Sequence, residues 1–178
     1  MKRFAIVTSL LLTLAASCRD VPVVEIEQQK GDTLKENMIN ANRYISQGEE
    51  AQIDAYVQRR GWEMQRLLGG ARVMAVNSQN SELIDYEDVV AIEYSVESIG
   101  GEVIYSHVDD TVTVGRLQPT RGLDAALRTL HQGSQAVVIL PSEQAYGVVG
   151  DGDRIGSRMI LIYKINNIKK LNNNTSKQ

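Results

Sequence analysis

The chain is poor in several residue types: its 178 residues include one cysteine, one tryptophan, one phenylalanine, two histidines and three prolines. A single cysteine excludes a disulfide within the chain, so a folded core must rest on buried apolar side chains. His107 and His131, with Cys18 as the only thiol, form no cluster at zinc-ligand spacing, and no metal centre is expected. Gly147, Gly150 and Gly152 follow no phosphate-loop pattern, so no cofactor is expected either. Lys and Arg number 19 against 22 Asp and Glu, which leaves no basic footprint for nucleic acid. The one long apolar run, residues 4–14, is too short to span a bilayer as a helix. It also contains the only phenylalanine, Phe4, so any binding pocket has to be built from tyrosines and aliphatic side chains.

That apolar run has a purpose at the N-terminus. Lys2 and Arg3 precede it, and the small residues Ala15, Ala16 and Ser17 follow it immediately before Cys18. A charged start, a short apolar stretch and small residues make a secretory signal. Residues 1–17 are therefore expected to be removed, and the position of Cys18 resembles that of a lipoprotein cysteine, cut and then acylated. The mature chain would carry 17 basic against 22 acidic residues, because Lys2 and Arg3 leave with the signal. Its expected location is the cell envelope, lipid-anchored and facing the periplasm.

Residues 18–32 are polar with scattered valines and suit a tether that lifts the rest off a membrane. Residues 33–61 are expected to form an N-terminal helical segment, since Thr33 with Glu36 and Ser46 with Glu49 both have capping-box spacing. Ile53, Tyr56 and Val57 then share one face, and Gly61 follows Arg59 and Arg60 as a stop. From residue 62 the pattern turns to short strands, at 72–76, 88–96, 102–106 and 111–114, with turn signals at 77–80, Gly100-Gly101 and Asp109-Asp110. Pro119 precedes a short helix with Leu123, Leu127 and Leu130 on one face, ended by Gly133. A strand at 135–140, a long loop at 141–157 and a last strand at 158–168 complete the domain of residues 62–168, and 169–178 read as a disordered polar tail. Strands around one short helix, without a βαβ repeat, point to an α+β fold with a mostly antiparallel sheet. Trp62 is expected to pack the N-terminal helix against that sheet.

The loop supplies the sharpest motif. After the apolar strand ending at Leu140-Pro141 comes Ala145-Tyr146-Gly147, and around it, in order, stand Ala91-Ile92-Glu93-Tyr94, Gly100-Gly101-Glu102-Val103-Ile104-Tyr105, Val114-Gly115, Gly122-Leu123, Ile155 and Leu161-Ile162-Tyr163. This ordered set resembles the FKBP-type peptidyl-prolyl isomerases. Ile104-Tyr105-Ser106 and residues 153–157 are similar to a lipoprotein branch that includes gliding-motility-associated isomerases of Bacteroidetes. The resemblance implies an FKBP-like antiparallel sheet wrapped on one short helix, with the helical segment as an appendage. It also implies proline-containing exported polypeptides as partners.

By the resemblance, Tyr146 is the residue that donates its hydroxyl to a substrate carbonyl, and the Thr120 backbone N–H donates a second bond. Tyr94, Ile104, Tyr105, Leu123, Ile155 and Tyr163 would line the proline pocket. Three positions depart from the family pattern: Leu123 stands where active members carry a tryptophan floor, Ile104 where they carry a wall phenylalanine, and Tyr105 where they carry an aspartate. Asp110 falls near another wall phenylalanine. Aliphatic replacements imply a wider pocket, so three readings stay open: an isomerase, a non-catalytic peptide-binding or chaperone lipoprotein, and a purely structural lipoprotein whose pocket is filled by its own side chains. Asp151-Gly152-Asp153 has part of a calcium-loop pattern, but Ile155 occupies a ligand position, and a turn in the loop is the better reading.

Overall fold

A computed structural model describes residues 25–77 and 81–171, with side chains from residue 33 onward. The signal segment 1–17, Cys18, the first part of the tether and residues 172–178 lie outside the described residues. Two units divide the chain, residues 1–42 and 43–178.

The first described element is one helix, α1 (Glu25–Arg60). The two starts expected at Thr33 and Ser46 are interior positions of it, and its first residues fall within the stretch read as tether. A capping-box pair starts a helix only where the preceding residue leaves helical geometry. No proline enforces that here, and Gly31 and Gly48 each weaken the helix by only about 1 kcal/mol. The C-terminal stop falls where expected. Trp62 donates to the Val57 carbonyl at 3.2 Å and Gly61 to that of Gln58 at 3.1 Å, the paired bonds that close a helix over a left-handed glycine. Among the described residues no helix is long and apolar enough to cross a membrane.

Six strands follow: β1 (Gln65–Arg66), β2 (Arg72–Asn77), β3 (Val89–Ser98), β4 (Val103–Thr113), β5 (Gln135–Leu140) and β6 (Leu161–Leu171). A short helix, α2 (Arg121–Leu127), lies between β4 and β5. The strands make one antiparallel sheet in the order β1-β2-β5-β6-β3-β4. The fold is thus the expected antiparallel sheet with one short helix and an N-terminal helix.

Two expectations are corrected. Residues 102–106 and 111–114 are not separate strands, because β4 runs through Asp109-Asp110, which pair with Glu93 and Ile92. β4 is a sheet edge, where outward charges stay in water and discourage further pairing. The tail does not begin at Lys169 either. Lys169, Lys170 and Leu171 continue β6 opposite Ala91, Val90 and Val89, with the Lys170 ammonium held by Glu82 at 2.5 Å and Asp88 at 3.0 Å.

The sheet is covered on both faces, which explains the unbroken apolar run 136–140. On one face Val138, Leu140, Leu161, Tyr163 and Ile165 meet Leu123, Ala126 and Leu127 of α2 in the larger core. On the other, Val137, Ile139, Ile160 and Ile162 meet Ile53 and Tyr56 of α1, with Trp62 packed against them. Trp62 and Tyr56 stand edge to face, ring centroids 5.9 Å apart.

Candidate functional site

The loop between β5 and β6 holds its tyrosine through backbone bonds at both ends. The Ser142 carbonyl accepts from the N–H of Ala145 at 3.1 Å and of Gly147 at 2.8 Å, and the Gly147 carbonyl accepts from Arg158 N–H at 2.8 Å. Further along, Gly150 has a φ of +75°, and a Cβ there would sit 2.1 Å from the Ile155 carbonyl oxygen, so the turn excludes a side chain. Tyr146 is thereby placed, partly buried, against the larger core.

The base of this flap is held by a group absent from the sequence reading of the site. Glu49, on α1 and buried, accepts the Ser142 backbone N–H at 2.8 Å and its hydroxyl at 2.6 Å. The spacing of Glu49 one turn before Ile53 on the inward stripe was the available signal. Gly122 completes the seat, because a Cβ there would lie 2.6 Å from Leu140 and 2.9 Å from Gln144.

The other motif residues arrive from four elements. β3 supplies Tyr94 and β6 supplies Tyr163, whose rings lie 5.4 Å apart at 45°. β4 supplies Ile104 and Tyr105 where its register against β3 shifts twice, between Tyr94 and Val96 and again between Val96 and Glu97. Such bulges re-aim side chains, and here Ile104 is buried while Tyr105 is partly exposed. Thr120 caps α2, its Oγ1 accepting the Leu123 N–H at 3.3 Å. Leu123, Ile155, Tyr94, Ile104 and Tyr163 are all buried in one cluster, with Tyr105 and Tyr146 packed against it.

Polar groups within this cluster are of two kinds. Tyr105 Oη donates to Asp151 Oδ2 at 2.5 Å, and Asp151 Oδ1 accepts the N–H of Ile155 at 2.8 Å and of Asp153 at 2.9 Å. This ties the edge strand to the flap. The bond to Asp151 is the main cause that pushes the Tyr105 phenol up to about 12. Burial opposes the charge on Asp151, yet the Tyr105 hydroxyl and the backbone N–H groups together hold its carboxyl below the ordinary value. Arg154 donates to the Ile104 carbonyl at 3.0 Å with its guanidinium 5.5 Å above the Tyr105 ring.

The second kind is unsatisfied. The Tyr163 hydroxyl is fully buried and finds no partner at hydrogen-bond distance and angle, although the Tyr146 and Thr120 side chains lie close enough to bias its proton. Among the described residues no acceptor takes the Thr120 backbone N–H. Buried polar groups are nearly always paired, and these two sit beside Tyr146 with hydrogen-bonding capacity left over. Burial raises the ionisation of Tyr94, Tyr146 and Tyr163 alike, keeping all three as neutral hydroxyls. Among the described residues no set of side chains could hold a metal ion. A separate cleft of about 360 Å³ lies at the far side of the flap's base, lined by Arg66, Leu68, Pro141 and Gln144 among others. It contains none of the motif residues.

Residues 81–167 match the profile of the FKBP-type peptidyl-prolyl cis-trans isomerase family. The domain is FKBP-type. No curated protein matches the chain in sequence. Solved structures share the fold, among them the two that follow. A peptidyl-prolyl cis-trans isomerase from Pseudomonas syringae pv. tomato is 19% identical, with a TM-score of 0.58, covering 73% of this chain and 93% of that one. AtFKBP13 is 17% identical, with a TM-score of 0.55, covering 62% of this chain and 100% of that one. Leu123, expected as the pocket floor, has no exposed surface, and Ile104, expected as a wall, is buried.

Proposed function

We propose that this protein is a peptidyl-prolyl cis-trans isomerase, anchored at a membrane by lipid on Cys18 and acting in the periplasm on prolyl bonds of exported envelope proteins. The observation that carries the reading is the meeting of the flap tyrosine Tyr146, the buried Tyr163 hydroxyl and the unclaimed Thr120 backbone N–H over apolar residues of an FKBP-type domain. Rotation of a prolyl amide is opposed by a barrier of about 18 to 20 kcal/mol because resonance is lost in the twisted form. No nucleophile or base is required. The apolar side chains grip the ring and exclude water, while Tyr146 and the Thr120 N–H hold carbonyls on either side, so the twisted amide is favoured over both planar ones.

A protease-free isomerisation assay on a prolyl tetrapeptide is the test. The parent protein is expected to turn the peptide over, and Tyr146→Phe to lower kcat/KM by about two- to tenfold, the worth of one neutral hydrogen bond. Absence of turnover in the parent would overturn the enzyme reading. Binding without turnover would then establish the second reading, a peptide-binding or chaperone module, which the buried aliphatic floor and wall at Leu123 and Ile104 favour. For the anchor, Cys18→Ser should abolish metabolic lipid labelling and release the protein from membranes, since stable attachment needs more than one acyl chain and a lipoprotein cysteine supplies them. A mutant labelled like the parent would refute it.

A further inference from the structure

Asp110 lies opposite Ile92 in the β3–β4 ladder, and so on the inward face that also carries Tyr94. It is partly buried, and its charge bears on the hydroxyls of both Tyr94 and Tyr146. Among the described residues its carboxylate makes no ion pair and no hydrogen bond. Basic side chains of β4 and of the flap are turned to other groups. His107 on the same strand meets Glu93 at 3.6 Å and Asp109 at 3.1 Å, and Arg154 is placed at Ile104 and Tyr105. Lys169 shares a shallow depression with Asp110 but stands opposite Ala91, on the outward alternation of β3, and makes no pair with it. Asp151 adds a second negative charge that reaches Tyr146, and Asp153 approaches the Tyr105 hydroxyl at 3.4 Å.

The carboxylates alone would be a solvated acidic rim. The buried Tyr163 hydroxyl makes no well-formed hydrogen bond to the Tyr146 and Thr120 side chains beside it, and so leaves a second polar group on this face with capacity for a ligand. A carboxylate partly withdrawn from water without a donor is costly, and a cation brought by the ligand relieves that cost. We propose that the site prefers prolyl segments carrying lysine or arginine next to the proline, with the cation against Asp110. This rests on the isomerase or binder reading of the same pocket and names its substrate class.

The test uses the full chain and two series of prolyl tetrapeptides, varied to lysine, norleucine or glutamate at the residue before the proline in one and after it in the other. Affinity, and kcat/KM where turnover exists, is read at low salt and at 0.5 M NaCl. In at least one series lysine should exceed glutamate by about three- to tenfold, with norleucine between them, and high salt should compress the ratio. In Asp110→Asn, with melting confirming the fold, the lysine-to-glutamate ratio should fall toward one. Equal handling of all three peptides in both series, or a preference untouched by Asp110→Asn, overturns the proposal while norleucine peptides still bound leave the pocket reading intact. If no prolyl peptide binds, the pocket reading itself fails and the proposal with it.

Discussion

Tyr105 and Asp151 form a pair whose strength follows pH from both ends. Asp151 has a folded carboxyl below its ordinary value of 3.8, so the stability it contributes is fully present above that pH and is lost as pH falls through the folded value. Tyr105 is raised from 10.0 to about 12, so the protonated phenol is the favoured form, and its contribution is intact below pH 10.0 and disappears as pH rises through about 12. The window from about pH 4 to 10 is therefore where the edge strand holds the flap. The difference in melting temperature between the parent and Tyr105→Phe is expected to be constant between pH 5 and 9 and to shrink below pH 3.8. A difference that persists unchanged at pH 2.5 would mean that the phenylalanine variant suffers from something other than the lost bond. At this scale the sequence was only half legible. The tyrosine of the flap and those on the strands stand in recognisable motifs, but Asp151 looked like a turn residue because its partner lies 46 positions away on another strand.

Among the elements, the joint between α1 and the flap is the least visible from sequence and the most directly connected to the site. Glu49 has capping-box spacing from Ser46, a local relation that a helix start would use. The helix does not start there, so the carboxylate is free to meet Ser142, 93 positions later. β4 failed to read as one strand for a related reason, since Asp109-Asp110 has the composition of a turn but pairs along an edge, where Asp109 stays in water and Asp110 turns inward. By contrast, β5 and α2 were legible because their apolar residues follow strand and helix spacing and are buried as that spacing requires. The Glu49 joint has a measurable worth. Glu49→Ala strands a buried N–H and a hydroxyl and should cost about 1 to 3 kcal/mol, with Ser142→Ala costing less because the backbone bond survives. The double mutant should be less destabilised than the sum of the singles, with a coupling of about 0.5 kcal/mol or more. Strict additivity, measured by urea unfolding, would mean that the two residues do not act as a pair.

For the molecule as a whole, the sheet is finished only when α1 covers its second face, so the FKBP-type segment 81–167 is not the whole folding unit. Ile53 has no exposed surface and Tyr56 very little, and both pack on Val137, Ile139, Ile160 and Ile162. Charge ties reinforce the contact, with Asp54 meeting the buried Arg72 at 2.7 Å and Glu50 paired with Arg66. Residues 33–42, before the second unit begins, are all exposed. Two truncations separate these parts. A chain starting at Arg43 keeps every residue of both cores and should melt close to the full chain. One starting at Trp62 loses Ile53 and Tyr56, each contributing about 1.5 to 3 kcal/mol by burial, and leaves Arg72 without its carboxylate and Ser142 without Glu49. A domain stable by only about 5 to 15 kcal/mol cannot absorb that sum and keep its melting point. The Trp62 chain is expected to melt far below the Arg43 chain or to be unfolded at 37 °C, and to show fast amide exchange in the flap. Equal melting of the two chains would make α1 an independent stalk and would remove the physical link between the N-terminal helix and the site.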